Sequence, residues 1–495
     1  KIEGSSIKMK RKKKKSKKKN KGKCGIFRLS DDNLLHIISY LKEKDKLIFY
    51  GINRLLCKLK RLHFYYSLSM KYSHKYCLDK KFRKKVNRRV NNDKKRRLEI
   101  FLEGNKNITN VSTLGGVHTL RLYKCDNITD VSALGGVHIL DLTYCDKITD
   151  VSALGGVHDL NLSYCSNITD VSGLGGVHIL DLSYCDNITD VSALGGVYDL
   201  NLSSCSNIMD VSCLGGVHNL DLSWCDKITD VRALGRVHTL NLTFCDDITD
   251  VSALGGIHTL NLSHCSGIVN VSALGGVHTL NLSECSKITN VSALGGVHTL
   301  NLTFCDKIKD VSALGGVHDL NLSSCSGITN VSGLGGVHTL CLRGCRNIRD
   351  VSALGGVHTL DLSFCHNITD VSALGEVHTL DLSHCNGITN VSRLGGVHTL
   401  DLSFCSYLKD VSALGSVHTL NLSSCIYIKD VSALVGVHTL NLSHCEDITD
   451  ISMLEGVNNI NITGCLGLNS NDDDGSDDDY SDHEGLFLRY SEYMI

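Results

Sequence analysis

Proline is absent from all 495 residues, against a usual share near 5%. Every reversal of the chain therefore rests on glycine, or on side chains that bond their own backbone. No run of eighteen apolar residues occurs, so the sequence contains no membrane-spanning helix. The basic start lacks the apolar stretch of a secretory signal, which places the expected location inside the cell, in cytoplasm or nucleus. There is no phosphate-cradling glycine loop, and no Ser/His/Asp or Cys/His pairing stands out, so the chain reads as a non-enzyme without cofactor. The net charge of −1 hides an asymmetry: residues 1–100 hold 34 Lys/Arg against 8 Asp/Glu, and the remainder 17 against 44. The two parts attract each other at low salt.

What the chain does have is repetition. A twenty-residue unit close to ITDVSALGGVHTLNLSxC runs from about Ile108 to Cys465, with cysteine at 125, 145, 165 and every twentieth residue after, in eighteen copies without insertion or deletion. The element Val117-x-x-Leu120-x-Leu122-x-x-Cys125-x-x-Ile128 resembles the leucine-rich repeat, in which each unit covers the apolar edge of its neighbour. Apolar positions at Val117, Leu120, Leu122, Cys125, Ile128, Val131, Leu134 and Val137 are three apart except for one step of two. That single step is the strand, because only there do alternate residues share a face. Steps of three predict tight turns or 3₁₀ segments and leave little room for an α-helix. Gly135-Gly136 predicts a sharp return where a Cβ would crowd, and Asp130 and Ser132 are placed to bond turn backbone. At about 4.8 Å per strand, eighteen copies make an arc on the order of 85 Å long. The expected fold is an α/β solenoid with a parallel sheet on its concave face, 3₁₀ turns on its convex face and a small helical module ahead of it.

Eighteen of the 23 cysteines hold one inward position of the repeat. They read as reduced thiols packed as small hydrophobes, since a ladder points its ligands in parallel and does not enclose zinc. Sixteen copies carry histidine just before the strand, with Tyr198 and Asn458 as exceptions. A histidine column at ~5 Å spacing invites a metal or pH-sensing reading. The plainer reading, taken here, is a copied surface residue stacking on its neighbour, with no metal. Matches to N-x-[ST], such as Asn127-Ile128-Thr129, are by-products of the repeat.

Ahead of the repeats, Leu29-Ser30-Asp31-Asp32-Asn33-Leu34-Leu35-His36-Ile37-Ile38-Ser39-Tyr40-Leu41 places apolar residues on a helical stripe behind a Ser30 or Asp31 cap. Asp45 and Leu47 begin a second such stretch. From Phe27 to Leu56 this resembles an F-box, although Ser30 stands where that family usually has proline, and Asn53 and Leu56 where cysteine and an aromatic are common. The resemblance implies docking on a Skp-family adaptor of a cullin-RING ubiquitin ligase through Leu29, Ser30, Leu34, Ile37, Leu41 and Leu47. The C-x-x-I-T-D phrase resembles the cysteine-containing repeats of F-box receptors, while the convex ITDVSAL resembles the shorter repeats of internalin-like proteins.

The expected order is a basic disordered arm (1–25), F-box-like helices (26–57), a basic helical linker (58–97), the solenoid (98–468) and an acidic disordered tail (469–495). Within the linker's end, Arg97-x-x-Ile100-x-Leu102-x-x-Asn105-x-x-Ile108 keeps the repeat register as an N-terminal cap. The residue before each ladder cysteine varies freely and is aromatic at Tyr144, Tyr164, Tyr184, Trp224, Phe244, Phe304, Phe364 and Phe404, a candidate substrate-binding rim. Arg343, Arg346 and Arg349 reverse the local charge of an array with 16 basic and 35 acidic residues between 101 and 465, a candidate grip for carboxylates. The expected role is substrate recognition for an SCF-type ligase, with an unknown protein as substrate. The alternative is a leucine-rich-repeat scaffold without a ligase, its lysine run at 8–23 contacting nucleic acid or import machinery. Lysine- and asparagine-rich flanks without proline fit an AT-biased genome, as in a protist or a large DNA virus.

Overall fold

The computed structural model describes residues 65–91 and 97–469. Twenty short strands form one parallel sheet, each paired with the next in the chain. Strand β1 (Tyr65–Leu68) precedes helices α1 (Met70–Leu78) and α2 (Lys80–Asn91), and β2 (Arg97–Phe101) follows. From β3 (Thr119–Arg121) to β20 (Asn459–Asn461) every strand has three residues and sits one repeat beyond its predecessor. The register is strict: Thr259, Leu260 and Asn261 face Thr279, Leu280 and Asn281. This is a leucine-rich-repeat solenoid.

One coil shows how the three-residue spacing closes the chain on itself. Backbone N–H groups of Cys145, Ile148, Leu154 and Val157 each donate to the carbonyl three residues earlier, at Leu142, Cys145, Val151 and Leu154. The convex side is accordingly 3₁₀, as in Ser152–Gly156, and no α-helix occurs between 97 and 469. Ser152 N–H donates to Asp150 Oδ1 at 2.9 Å, the turn bond expected of that pair. Leu140, Leu142, Cys145, Ile148, Val151, Leu154 and Val157 are all buried. Each completely buried aliphatic side chain contributes about 1.5–3 kcal/mol, and most of that burial comes from the neighbouring coils, so a lone coil gains little of it.

The glycine pair acts through space and not through φ. Gly135 has an ordinary φ of −59°, but a Cβ there would lie 2.2 Å from the Ala153 carbonyl oxygen of the next coil. Its absence lets the convex turns approach closely enough for the strands to keep their pairing.

The sheet begins earlier than the expected boundary at 98. Strand β1 lies within the segment read as helical linker and pairs with β2, Tyr66 opposite Leu98 and Leu68 opposite Ile100. Nothing in the repeat grammar marks Tyr65–Leu68; the strand forms because the open edge of β2 needs a partner for its backbone. Ser73 on α1 ties the cap together, donating to Leu68 O at 3.0 Å and accepting from Phe101 N–H at 3.3 Å. Asp79 caps α2 by accepting the N–H groups of Lys81 and Phe82, and Leu68, Tyr76, Val86 and Leu98 are buried together. At the other end β20 is exposed along its length.

A paired substitution tests the packing role of the glycines. Gly255→Ala would push a Cβ to 2.1 Å from Ala273 O, whereas a Cβ at Gly116 meets nothing within 4 Å. Overpacking of this kind costs about 1–3 kcal/mol. Urea denaturation should show a lower midpoint for Gly255→Ala and an unchanged one for Gly116→Ala; equal midpoints would contradict this account.

Candidate functional site

The sheet's outward face carries three side chains per copy, flanked by two columns of rings. Asp or Asn on the strand accepts from the Ser or Thr two residues on: Ser363 donates to Asp361 Oδ1 through both N–H (2.8 Å) and Oγ (2.6 Å). Asp361, Asp381 and Asp401 lie opposite one another on successive strands. Burial raises the Asp381 pKa, the Ser383 hydrogen bonds oppose this, and the two flanking carboxylates add to the rise. The face is a ladder of hydrogen-bonded polar groups; clefts lie between the convex turns, one lined by Met209, Asp210, Ser212, Asp230, Arg232 and Ala233.

On one rim stands the position before each ladder cysteine. All sixteen non-glycine residues there have positive φ, from 55° to 63°, and Gly344 and Gly464 hold the remaining two places. The turn Leu142-Thr143-Tyr144-Cys145 closes with Cys145 N–H on Leu142 O, while Tyr144 N–H reaches across to Ser163 O at 3.0 Å. A turn with positive φ at its third residue suits glycine, and another residue there costs roughly 1–2 kcal/mol. The cross-coil bond holds the strained residue in place. The glycines at 344 and 464 were the sequence signal of this left-handed conformation, and it was missed.

The eight aromatic residues on this rim fall into groups. Tyr144, Tyr164 and Tyr184 stack with centroids 4.2 Å apart; Trp224, Phe244 and His264 at 3.8 and 4.0 Å; Phe364, His384 and Phe404 at 4.2 and 4.3 Å. Phe304 has no ring partner among the described residues and is 51% exposed. Tyr184, Trp224 and Phe404 are also exposed, at 44%, 53% and 45%. Stacking covers ring faces and leaves edges to solvent. Arg343 lies over the Phe364 ring, 4.9 Å from its centroid. Arg346 and Arg349 are exposed on the turn beyond, separated from Arg343 and from each other by the buried Cys345 and Ile348. The three arginines are thus strung along one coil, and only Arg343 joins an aromatic group. Leu29, Ser30, Leu34, Ile37, Leu41 and Leu47 lie outside the described residues.

The opposite rim is the histidine column. Rings from His118 to His438, with Tyr198 in line, follow one another at 4.6–4.9 Å; the first three pairs are tilted or edge-on, and stacking begins at His178. From His218 onward the planes lie within 17° of parallel. His118 is pushed down to about 4 by burial, the Arg97 charge and His138. Burial and then neighbouring imidazoles lower His238 and His398 as well.

Beneath the sheet, each ladder cysteine does more than fill space. Its S–H donates to the carbonyl of the leucine 23 residues before it, at 2.8 Å for Cys125 on Leu102 and 3.3 Å for Cys145 on Leu122. The thiol therefore satisfies a carbonyl of the preceding coil, a bond the packing argument alone did not anticipate. Burial pushes Cys145, Cys205 and Cys385 up to about 12. All described cysteines are free thiols.

No known protein family matches the chain, and no curated protein does. Solved structures are similar in part. An internalin (inlF) from Listeria monocytogenes is 21% identical, with 62% of this chain and 86% of that one covered, at a TM-score of 0.38. The functional domain of InlJ from the same organism, which includes a cysteine ladder, is 19% identical over 68% of this chain and 70% of that one, at 0.36. A leucine-rich-repeat protein of Leptospira interrogans is 17% identical over 68% and 93%, at 0.45. Among the described residues no helix is long and apolar enough to cross a membrane.

Two measurements check this geometry. Titration with a thiol reagent should count few groups in the native protein and close to all 23 after denaturation, because the thiolate is the reactive form and burial suppresses it; rapid native labelling of the ladder would refute it. The histidines give the second. A folded pKa below the ordinary 6.5 means that the unfolded chain binds the proton more tightly, so this stability is complete above 6.5 and lost as pH falls toward 4. The melting temperature should hold above pH 6.5 and drop through that window. Hydrogen bonds from Ser152 hold the turn carboxylate of Asp150 below its ordinary value of 3.8, so its loss comes later, in stronger acid. A flat profile between 6.5 and 4 would contradict the lowered values of His118, His158, His238 and His398.

Proposed function

We propose that this chain is a protein-interaction scaffold whose solenoid holds a partner protein, and that it serves as a substrate receptor for a cullin-RING ubiquitin ligase. The observation that carries the interaction reading is the rim of exposed aromatic groups beside a polar sheet face. Large rings held by a rigid sheet offer contact area at small entropic cost. Trp224, Phe304 and Phe404 are its most exposed rings, and Arg343 on Phe364 adds a charge that a partner's carboxylate can meet. The ligase reading rests on the F-box-like residues Leu29 to Leu47, which would recruit the Skp-type adaptor. The alternative, a scaffold without a ligase whose arm contacts nucleic acid or import machinery, draws on the lysine run at 8–23.

Co-purification of the tagged full chain from cells separates these readings. Ile37→Asp with Leu41→Asp should abolish recovery of adaptor and cullin, because burying unpaired carboxylates at an apolar interface costs several kcal/mol. Arg343→Glu with Arg346→Glu, or Trp224→Ala, should instead remove particular partners and keep the adaptor. Undiminished adaptor in the first variant, or its absence from the wild type, would sink the ligase role; partner lists unchanged by both rim changes would sink the binding rim.

A further inference from the structure

The residue that follows each member of the histidine column decides what its ring can meet. In most copies threonine follows the histidine, and its hydroxyl lies against Nδ1, at 3.2 Å in His278–Thr279 and 3.3 Å in His298–Thr299 and His338–Thr339. Eleven of the eighteen copies have this threonine. At His318 the next residue is Asp319, whose Oδ1 lies 3.1 Å from His318 Nδ1. Thr299 and Thr339 flank Asp319 across the sheet, and Thr299 Oγ1 lies 3.5 Å from Asp319 Oδ2. The His298 ring stacks on His318 with centroids 4.7 Å apart. One nitrogen from each imidazole and one carboxylate oxygen lie within 4.8 Å of one another.

We propose that His298, His318 and Asp319 form a binding site for a divalent transition-metal ion such as zinc, with solvent completing the coordination. Two imidazoles and a carboxylate select this class over magnesium or calcium, which take oxygen ligands. Tetrahedral zinc spaces its ligand atoms about 3.4 Å apart and lies in the plane of each imidazole it bonds, so closure requires the two near-parallel rings to turn out of the stack toward a common point. The side chains can move in this way, since both histidines are exposed and Asp319 is half-buried. Each ring gives up part of its stacking on His278 or His338, now at 4.7 and 4.6 Å, when it turns to the metal. Aspartate occurs at this place in two other copies, and neither assembles such a group among the described residues: Asp199 follows Tyr198, which offers no imidazole, and at Asp159 the His158 ring meets its His138 neighbour edge-on.

Calorimetric titration of the full chain with zinc chloride tests the proposal, with cobalt absorption as a second readout of coordination. The informative variants are Asp319→Thr and His298→Tyr, each introducing a residue that other copies carry at the same place, with Asp159→Thr as control. The wild type and the control should bind one zinc more tightly than any other. Both site variants should weaken that site by at least about tenfold and lose the cobalt band, with unchanged melting in the absence of metal. Zinc binding unaltered by Asp319→Thr, or spread evenly along the column with no distinguished site, would overturn it.

Discussion

Consecutive coils approach so closely that at most of the paired glycines a Cβ would meet a backbone carbonyl, although Val435 and Glu455 take that place in the last two coils. Gly135 and its counterparts lie against the carbonyl of the next convex turn, and that approach brings the strands into register on the opposite side. Pairing satisfies the strand backbone, and the buried valines, leucines and isoleucines of one coil cover those of the next. A change of register by one residue would turn every leucine outward. Eighteen copies without insertion or deletion are the consequence: a length change in one coil would break contact with both neighbours.

This constraint divides each coil into places that cannot change and places that can. The ladder cysteine is bound on two counts, being enclosed and donating to the preceding coil's leucine carbonyl. The residue just before it is bound only in its backbone, which must take positive φ, and its side chain is left free. That is why tyrosine, tryptophan, phenylalanine, histidine, serine and glutamate all occur there. Variation concentrated on one rim of a rigid array is the arrangement from which a binding surface is made.

Repetition also turns surface residues into columns whose properties no single copy has. One imidazole beside a strand is an ordinary titratable group. Within a column spaced at under 5 Å, His238 and His398 are held below their ordinary pKa, by burial first and then by the neighbouring imidazoles. A single departure then changes the chemistry locally, as at Asp319, or at Arg343, where a guanidinium covers the Phe364 ring.

The period, the inward positions, the strand at the one step of two and the three-residue turns were legible in the sequence, because apolar spacing states which side of each coil must be covered. The aromatic rim was legible as a column of variable residues, and the histidine stack as a spacing. Only the tertiary structure decided the positive φ at Tyr144 and its equivalents, the grouping of the rings and the S–H donation from Cys145 to Leu122. Each depends on groups from two coils, about twenty residues apart, meeting at one hydrogen bond or ring contact. The strand Tyr65–Leu68 belongs with these: it has no repeat pattern, and it exists because the first edge of a parallel sheet exposes backbone donors and acceptors that the preceding chain can satisfy.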